Sequence, residues 1–505
     1  MFARLYGATV LGLYGNIITV ETDIANGLPG FDIVGLAATS VKESKERVRS
    51  ALTNSGYEFP MRRITLNLAP ADLKKDSAGL DLAITMGILV SSGQIPPEHC
   101  AQALFIGELA LDGTVRPVNG VLSMVLQGAA EGFTTVYVSR ANAPEAGLCQ
   151  DVTVYAVETL HELIRHLRKE EELSPSVPVP ASSSDGPYDV DFAEVQGQFT
   201  AKRALEIAAA GGHNVLLIGP PGAGKTMLAK RIPTILPPLT TAEALEVTQI
   251  YSVAGLFHDT RLLTERPFRS PHHTISMGGL IGGGTIPKPG EVTLSHHGVL
   301  FLDELPEFSR SALEVLRQPL EDGVVHLSRV HGTITYPARH LLVAAMNPCN
   351  CGNFGSTDQH CTCTDGEIRR YVRKISGPLL DRIDLHVHVD RPRYEELTTT
   401  LPQESSDSIR ARVLAARARQ TERLTPYTLT CNAHMGHKAI RETCQLTTSA
   451  QALLQQAFEK LSLSARSYDR IIKVSQTIAD LAGDTEITEI HVGEALSYRN
   501  TLQRM

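Results

Sequence analysis

The sequence lacks any run of about 18 strongly apolar residues, the length that a transmembrane helix needs. The longest candidate, residues 5–20, is interrupted by glycines and has neither the basic start nor the cleavage site of a signal peptide. Cysteine is scarce, with 8 in 505 residues, which excludes a disulfide scaffold and fits a reducing cytoplasm. Together these absences predict a cytoplasmic protein with no membrane partner.

An excess of positive charge is missing too, because 47 lysines and arginines stand against 55 aspartates and glutamates. The formal net charge of −8 argues against a basic protein that coats nucleic acid. A ring could still hold positive charge inside a channel while its outside is acidic. Apolar residues make up 42% of the chain and no low-complexity tract dominates it, so most of it is expected to fold. Its length predicts two to four domains.

Composition divides the chain into three folded parts, which predicts an α/β multidomain protein. Residues 1–172 contain strand-like patterns at residues 17–21, 63–68 and 135–138 and helical patterns at residues 40–55, 82–92 and 159–172. Residues 173–187, rich in proline and serine, cannot bury a core and are predicted to be a linker. Residues 188–395 alternate strand-like and helix-like segments, which is typical of a parallel sheet. Residues 396–505 have helical patterns at residues 408–423, 449–461, 466–482 and 490–499.

A nucleotide site is predicted where the apolar run Val215–Ile218 leads into a glycine-rich loop and then a helical pattern. The loop consists of Gly219, Pro220, Pro221, Gly222, Ala223, Gly224, Lys225 and Thr226. Its glycines let backbone N–H groups turn toward phosphates, and the following helix adds its positive N-terminus. Lys225 is expected near the β- and γ-phosphates of ATP, and the Thr226 hydroxyl can bind Mg²⁺. A glycine turn without a ligand would not explain these two residues.

Polar residues follow the next two apolar runs. Asp303 and Glu304 come directly after residues 298–302, and Asn347 follows residues 341–345. An aspartate at the end of a sheet strand can hold the magnesium shell, and the adjacent glutamate can polarise an attacking water. Asn347 suits a role in positioning that water; the alternative is a loop cap.

Four of the cysteines are clustered as two Cys-x-Cys pairs, Cys349 with Cys351 and Cys361 with Cys363. Thiolates are soft ligands that suit Zn²⁺, and four of them close a structural site. Redox-active thiols and ordinary buried cysteines are the alternatives. The sequence therefore predicts a structural Zn²⁺ that braces the loop after Asn347.

The sequence resembles the AAA+ ATPases, within them the magnesium-chelatase-like branch that includes the ComM/YifB family. The segments that carry the resemblance are RSPHHT at 269–274, GGG at 282–284, PGE at 289–291, FLDELPEF at 301–308, RQPLE at 317–321, NPC at 347–349 and GPLLDRID at 377–384. The resemblance implies an AAA+ core that hydrolyses ATP with Mg²⁺, followed by a helical C-terminal lid domain.

The resemblance also implies two arginines that act on the nucleotide. Arg382 would be an arginine finger, whose guanidinium neutralises charge on the γ-phosphate of a neighbouring subunit. Arg466 matches the sensor-2 arginine, in cis or in trans, and Arg470 is its competitor; a surface ion pair is the alternative for each. A finger that acts across an interface requires a homo-oligomer, and the resemblance suggests a hexamer.

Two insertions in the ATPase core are expected from the resemblance, and both could line a pore. One covers residues 269–297, and the other covers residues 324–336, where a central His331-Gly332 turn predicts a β-hairpin. Pore loops can hold the phosphate backbone of DNA without reading bases. The candidate DNA contacts are Lys288, Ser328, Arg329 and His331; contact with a neighbouring subunit is the alternative for each.

Two further features have less specific patterns. His272 and His273 could be ligands, but histidines in a glycine-rich loop are more often hydrogen-bonding anchors. The helical pattern at residues 408–423 carries five arginines, for which a solvated face is expected and a DNA patch is the alternative.

The N-terminal part resembles the Lon-protease-like domain, of the ribosomal-S5-domain-2-like fold, through KDSAG at 75–79 and GELALDGTVRPVNG at 107–120. Active Lon-like proteases use a Ser–Lys dyad in which the lysine deprotonates the serine. Ser77 falls near the serine position, but Leu122 stands where the lysine is expected, and Lys74 and Lys75 are too close in sequence to replace it. We therefore expect no peptidase activity.

Three functions are compatible with these motifs. The favoured one is an ATP-dependent DNA motor, a helicase or branch-migration enzyme that acts on single-stranded or branched DNA during natural transformation, as the resemblance implies. A chelatase- or MoxR-like ATPase that remodels other proteins shares the whole ATPase core and is the alternative. An active ATP-dependent protease is disfavoured by Leu122.

Overall fold

The structure of the chain, a computed structural model, describes residues 2–36, 41, 43–73, 75, 78–177, 188–259, 261–284, 287–329, 332–355, 359–392, 394–398, 402–461 and 463–499. No helix among these residues is long and apolar enough to cross a membrane. A mixed sheet with helices comes first, a parallel sheet with helices second, and a group of helices last.

The N-terminal part is built on a seven-stranded sheet. Its elements are β1 Phe2–Leu11, β2 Tyr14–Ala25, β3 Gly30–Val34, α1 Ser44–Asn54, β4 Arg63–Ala69, α2 Asp81–Ser91, β5 Ala103–Ile106, β6 Glu108–Leu109, β7 Val115–Arg116, α3 Val121–Ala130, β8 Thr135–Ser139, α4 Ala143–Ala146, β9 Thr153–Val157 and α5 Leu160–Leu167. The strand order is β3-β4-β2-β1-β5-β8-β9. Every residue of α2 is buried, so this helix lies at the centre of the N-terminal core.

The last helix of this part is shorter than the pattern at residues 159–172 predicts. Thr159 caps the start of α5 by accepting a hydrogen bond from the N–H of Glu162, and the helix ends at Leu167. Lys169 then has a φ of 60°, a left-handed conformation that ends the helical geometry. The charged residues that follow are therefore outside the helix, although their composition favours one.

The second part contains a five-stranded parallel sheet. Its elements are α6 Phe199–Gly211, β10 Val215–Ile218, α7 Lys225–Ile235, α8 Thr241–Ala254, β11 Phe268–Arg269, α9 Met277–Ile281, β12 Gly282–Gly283, β13 Lys288–Pro289, α10 Glu291–Leu294, β14 Val299–Leu302, α11 Arg310–Val315, α12 Arg317–Asp322, β15 Val324–Arg329, β16 Gly332–Pro337, β17 Leu341–Met346, α13 Asp365–Val372, α14 Gly377–Leu380, β18 Leu385–His388 and α15 Tyr394–Thr398. The strand order is β11-β14-β17-β10-β18, and neighbouring strands are parallel. The loops after β10, β14 and β17 therefore meet at one edge of the sheet.

Two antiparallel hairpins in this part contact each other. One joins β12 to β13, and the other joins β15 to β16 within the predicted range. Gly332 pairs with Arg329 and so belongs to β16, not to the turn that the sequence predicted at His331-Gly332. Tyr336 of β16 donates a hydrogen bond from its hydroxyl to the carbonyl of Pro287, at 2.8 Å. The N-terminal part reaches the same hairpin, because a Cβ on Gly12 would lie 2.8 Å from Cγ2 of Ile334.

The C-terminal part is helical, with α16 Ser406–Leu424, α17 His437–Thr443, α18 Thr448–Lys460, α19 Ala465–Ala482 and α20 Glu489–Ser497. Helices α16, α18, α19 and α20 lie where the sequence predicted helices. The sequence did not predict α17, which is too short to show a helical period.

The arginines of α16 join this helix to its neighbours. Arg412 pairs with Glu206 of α6, and Arg417 donates a hydrogen bond to the carbonyl of Ala209 at 2.9 Å. Arg423 donates two hydrogen bonds of 2.7 Å to the carboxylate of Asp480 on α19, which is buried. Arg412 remains 42% exposed, as a solvated face requires. The expectation is wrong for Arg417 and Arg423, which hold α16 against the second part and α19.

The N-terminal part contacts the second part through both polar and apolar groups. Glu145, only 7% exposed, accepts hydrogen bonds from the Ser252 hydroxyl of α8, from the Leu122 N–H at 2.8 Å and from the Asn142 amide at 3.3 Å. Burial raises the pKa of Glu145, while these hydrogen bonds counteract the rise. Leu13, in the turn between β1 and β2, belongs to a buried apolar cluster of the second part.

Candidate nucleotide site

The phosphate loop lies between the buried strand β10 and helix α7. Gly222 and Gly224 have φ values of 80° and 87°, so the loop needs residues without a side chain at these points. Helix α7 begins at Lys225, which places the positive end of the helix next to the loop. This local structure is the one that binds phosphates at a helix N-terminus.

Lys225 connects the phosphate loop to the end of β17. Its ammonium donates hydrogen bonds to two loop carbonyls, at 2.7 and 3.0 Å, and to Oδ1 of Asn347, at 3.1 Å. Burial lowers the pKa of Lys225, and the negative charges of Asp303 and Glu304 counteract this effect. Asn347 therefore faces the lysine of the site and is not simply a cap of its own loop.

Thr226 and Asp303 come together from α7 and the end of β14. The Thr226 hydroxyl donates a hydrogen bond to Oδ2 of Asp303 at 2.7 Å. The other carboxylate oxygen of Asp303 accepts the N–H of Glu304 at 2.9 Å. A hydroxyl beside a carboxylate fits the oxygen ligands that Mg²⁺ prefers, so these two residues could hold the ion. Mg²⁺ bound there would neutralise charge on the phosphates.

Glu304 has the properties of an available general base. Its φ of 52° is a left-handed conformation that is uncommon for a residue other than glycine, and its side chain is 56% exposed. One of its carboxylate oxygens lies 3.3 Å from Nδ1 of His273. The sequence suggested that His273 is an anchor or a ligand but gave no signal that it would contact this glutamate.

These side chains surround one cleft of ≈ 410 Å³, a volume typical of ligand sites. It is lined by the loop from Pro221 to Met227 and by Asp303, Glu304, Met346 and Asn347. The structure therefore assembles the predicted ATP and Mg²⁺ residues from the ends of three neighbouring strands.

Arg382 lies at the end of the parallel sheet where the strands begin, opposite the end that carries the phosphate loop. Strand β18 is parallel to β10 and pairs Leu385 with Val215, so residues just before β18 are opposite the loop that follows β10. Asn214, directly before β10, donates a hydrogen bond from its side-chain amide to the Arg382 carbonyl at 2.9 Å. A strand of four residues spans about 13 Å. Arg382 is therefore far from the phosphate loop of its own chain.

Each nitrogen of the Arg382 guanidinium has one partner within the chain. The guanidinium pairs with Glu321 and donates hydrogen bonds to the carbonyls of Arg317, at 3.1 Å, and Pro378, at 2.7 Å. The hydrogen bond from Arg382 lowers the pKa of Glu321, and the charges of Arg466 and Arg317 lower it further. Arg317 and Glu321 stand in the RQPLE segment, but the sequence gives no signal for the role of either residue.

Of the two sensor-2 candidates, Arg466 is near enough to Glu321, the partner of Arg382, for its charge to lower the pKa of that carboxyl. Arg470 instead lies 3.5 Å from the carboxylate of Asp384, which also contacts His213 Nδ1 at 3.1 Å. Arg470 is therefore used within the chain, at the contact between α19 and the start of β18.

The four clustered cysteines come close enough to share one ion. Their Sγ atoms lie within 4.8 Å of one another, with Cys349 3.3 Å from Cys351 and 3.7 Å from Cys361. Four thiolates at about 2.3 Å from a tetrahedral Zn²⁺ would be about 3.8 Å apart, so the cluster fits zinc with little adjustment. The loop touches the phosphate loop, since a Cβ on Gly352 would lie 2.6 Å from Cδ of Pro221.

A second group of possible metal ligands is Glu246, His296 and His297. One carboxylate oxygen of Glu246 lies 3.0 Å from His296 Nε2 and 2.9 Å from His297 Nε2. The Nδ1 atom of His296 accepts the N–H of Arg339 at 3.0 Å, so in the neutral ring the proton is on Nε2. The hydrogen bonds therefore fit an imidazole that donates to Glu246 better than one that binds a metal.

The structure describes only part of the predicted DNA surface. Lys288 lies exposed on β13, and the Ser328 hydroxyl is 3.2 Å from that of Thr333 across the β15–β16 hairpin. His331 and the side chain of Arg329 lie outside the described residues. Two exposed hairpin positions therefore stay available for a phosphate backbone.

Of the two positions that form the dyad in active Lon-like proteases, the structure describes only the lysine position, which holds Leu122 in this chain. Leu122 is fully buried at the start of α3, and its N–H is bonded to Glu145. Ser77 and Lys74 lie outside the described residues.

The sheet order, the phosphate loop and the acidic residues after β14 define a P-loop nucleotide-binding protein. Three family profiles match the chain: "Magnesium chelatase, subunit ChlI" at residues 191–397, "Subunit ChlI of Mg-chelatase" at residues 20–142, and the ChlI C-terminal profile at residues 403–499. Competence protein ComM of Haemophilus influenzae is 44% identical over 98% of this chain and 97% of its own length. YifB of Escherichia coli is 44% identical over 97% of this chain and 95% of its own length.

The chain therefore belongs to the ComM/YifB family of magnesium-chelatase-like AAA+ proteins. A shorter similarity, 24% identity, links 28% of the chain to 18% of the Lon protease of Mycolicibacterium smegmatis. Membership of this family implies ATP and Mg²⁺ as ligands of the site described above.

Proposed function

We propose that this protein is the subunit of a hexameric ATPase ring that moves along DNA and drives unwinding or branch migration of recombination intermediates in natural transformation. The observation that carries the proposal is the position of Arg382, at the opposite sheet edge from the phosphate loop. A site divided in this way becomes complete only when two copies of the chain meet. The full-length similarity to a competence protein supports the biological setting.

The chemistry follows from the positions of the side chains. Lys225 would bind phosphate oxygens, and Thr226 and Asp303 would hold a Mg²⁺ that neutralises phosphate charge. A water attacks the γ-phosphorus, its proton passes to Glu304, and the bond to the β–γ bridging oxygen breaks. Asn347 orients that water, and Arg382 of the next subunit, with Arg466, neutralises the developing charge.

We also propose the division of the chain into a Lon-like domain, residues 1–172, a linker, residues 173–187, an ATPase core, residues 188–395, and a lid, residues 396–505. The Lon-like domain is not a peptidase in this proposal, because buried Leu122 has no group that accepts a proton. The four cysteines bind a structural Zn²⁺. The DNA contacts proposed on the hairpins are Lys288, Ser328, Arg329 and His331.

A second candidate function, ATP-driven remodelling of another protein, is favoured by the magnesium-chelatase profile that covers the ATPase core. The two candidates differ in what stimulates hydrolysis. A DNA motor responds to polynucleotide, whereas a remodelling enzyme responds to its protein substrate and hydrolyses ATP at one rate whatever DNA is present.

The rate of ATP hydrolysis, measured with single-stranded, duplex and four-way-junction DNA, distinguishes a DNA motor from a remodelling enzyme. Wild-type hydrolysis is expected to rise at least several-fold with branched or single-stranded DNA, together with branch migration of the junction. Glu304→Gln is expected to lower kcat at least a hundredfold while the protein still binds ATP, because the proton acceptor is lost. A rate that is independent of every DNA would refute the motor and favour remodelling.

A further inference from the structure

A second cleft, of ≈ 450 Å³, contains Arg382 and lies away from the phosphate loop. It is formed by α11, α12, the start of β15 and Arg382 itself. Its charged side chains are Glu314, Arg317, Glu321, Asp322 and Arg382. A cleft of this size could take the phosphates of a nucleotide, but its carboxylates would first have to release the arginines.

Arg317 lies beside Arg382 in this cleft. It is the first residue of α12, its side chain is 41% exposed, and its Nη1 lies 2.8 Å from Oε2 of Glu314. Its carbonyl accepts a hydrogen bond from Nε of Arg382 at 3.1 Å. Arg317 and Arg382 therefore line the same cleft, and the guanidinium of each is paired with one carboxylate.

Both carboxylates are suited to release these arginines. The side chain of Glu321 is 53% exposed and that of Glu314 is 34% exposed. The pair of Arg317 with Glu314 is of the exposed kind that contributes little to stability, whereas the side chain of Arg382 is only 10% exposed and its partner Glu321 is the exposed member of the pair. A γ-phosphate offers more negative charge than a carboxylate and the geometry for two hydrogen bonds to a guanidinium. A neighbouring nucleotide can therefore displace the glutamates from Arg317 and Arg382.

We propose that this cleft receives the triphosphate bound to a second copy of the chain, and that Arg317 contacts that triphosphate beside Arg382. Glu314 and Glu321 are the anions that occupy the arginines before the second copy arrives. The inference rests on the proposed function, because it requires ATP hydrolysis between subunits. It adds a catalytic residue, Arg317, that acts in trans.

The experiment mixes subunits with complementary defects. Arg317→Ala keeps its phosphate loop, and Lys225→Ala keeps its arginines, so each alone is expected to hydrolyse ATP at least tenfold more slowly than wild type. Mixed rings contain interfaces with one intact phosphate loop and one intact Arg317. Hydrolysis by the mixture is therefore expected to exceed the sum of the separate rates several-fold, which also shows that Arg317→Ala is folded.

The controls separate this inference from the proposed function. Arg310→Ala, on α11 and outside the cleft, is expected to keep the wild-type rate, and Lys225→Ala mixed with Arg382→Ala is expected to recover activity. Recovery with Arg382→Ala but not with Arg317→Ala would overturn the role of Arg317. Recovery with neither variant would overturn the trans arrangement, and with it both the inference and the divided site on which the proposed function rests. If the wild type hydrolyses no ATP, the proposed function itself has failed.

Glu321→Gln tests the glutamate separately. It removes the negative charge that holds Arg382, so half-maximal hydrolysis is expected at a protein concentration several-fold lower than for the wild type. An unchanged or higher concentration would show that Glu321 does not compete with the neighbouring phosphate.

Discussion

At the scale of single residues, Asp384, whose side chain is 12% exposed, illustrates how the segment around Arg382 is held. Burial by itself would raise the pKa of Asp384, but the hydrogen bond and charge of His213, with Arg470 and Arg499, keep this pKa at about 2. His213 lies directly before Asn214, which binds the Arg382 carbonyl. The position of Arg382 therefore depends on a largely buried carboxylate two residues away.

Asp384→Asn is expected to lower the free energy of unfolding by about 3 kcal/mol at pH 7, because it leaves His213 and Arg470 without their anion. A carboxylate with a lowered pKa stabilises the fold above its unfolded pKa of about 3.9, and this contribution is lost as the pH falls toward 2. The difference between variant and wild type should therefore narrow below about pH 4. Urea unfolding followed over this range measures it.

The exposed carboxylate of Asp390, 83% accessible, provides the matched control. Asp390→Asn is expected to change stability by less than about 0.5 kcal/mol at any pH in the series. Equal effects of the two substitutions would show that the contacts of Asp384 do not stabilise the protein.

At the scale of elements, the cysteine loop and the phosphate loop support each other. Gly352 has a φ of 82°, and a Cβ there would lie 2.6 Å from Cδ of Pro221. Gly352→Ala is therefore expected to push the phosphate loop out of place and to weaken ATP binding at least tenfold, which titration with a fluorescent ATP analogue measures.

The substitution Gly355→Ala is the control that separates the effect of backbone strain from the effect of contact with Pro221. Its φ is 75°, but a Cβ on it would meet nothing within 4 Å among the described residues. Gly355→Ala should therefore leave ATP affinity within about twofold of wild type. If both substitutions weaken binding equally, strain in the cysteine loop and not contact with Pro221 is responsible.

The sequence predicts elements whose signals are local and misses contacts between distant segments. The phosphate loop, the strands around it and the β15–β16 hairpin carry their patterns within about ten residues, and the structure has them where they were predicted. The pairing of Glu321 with Arg382 and the contact between His273 and Glu304 join distant segments, so no spacing reveals them. Arg417 and Arg423 of α16 were misjudged for the same reason, because their partners lie on α6 and α19.

At the scale of the whole molecule, the N-terminal part is held to the second part by more than the chain that joins them. Leu13 is 8% exposed within a cluster that includes Ile250, and Ser252 donates a hydrogen bond to buried Glu145. Glycine at position 12 allows the turn before Leu13 to lie against Ile334 of the β15–β16 hairpin. Movement of that hairpin should therefore be transmitted directly to the N-terminal part.

A protease site inserted within residues 178–187 tests this connection. After cleavage, the two fragments are expected to stay together in gel filtration at micromolar concentration, because the buried contacts of Leu13 and Glu145 remain. Leu13→Asp with Glu145→Ala should release them, since it places a charge in an apolar cluster and removes the acceptor of Ser252. Arg140→Ala, an exposed ion-pair residue of the N-terminal part, is the control and should leave the fragments associated. Separation of the wild-type fragments would mean that only the connecting chain joins the two parts, so that the hairpin could not transmit its movement through this contact.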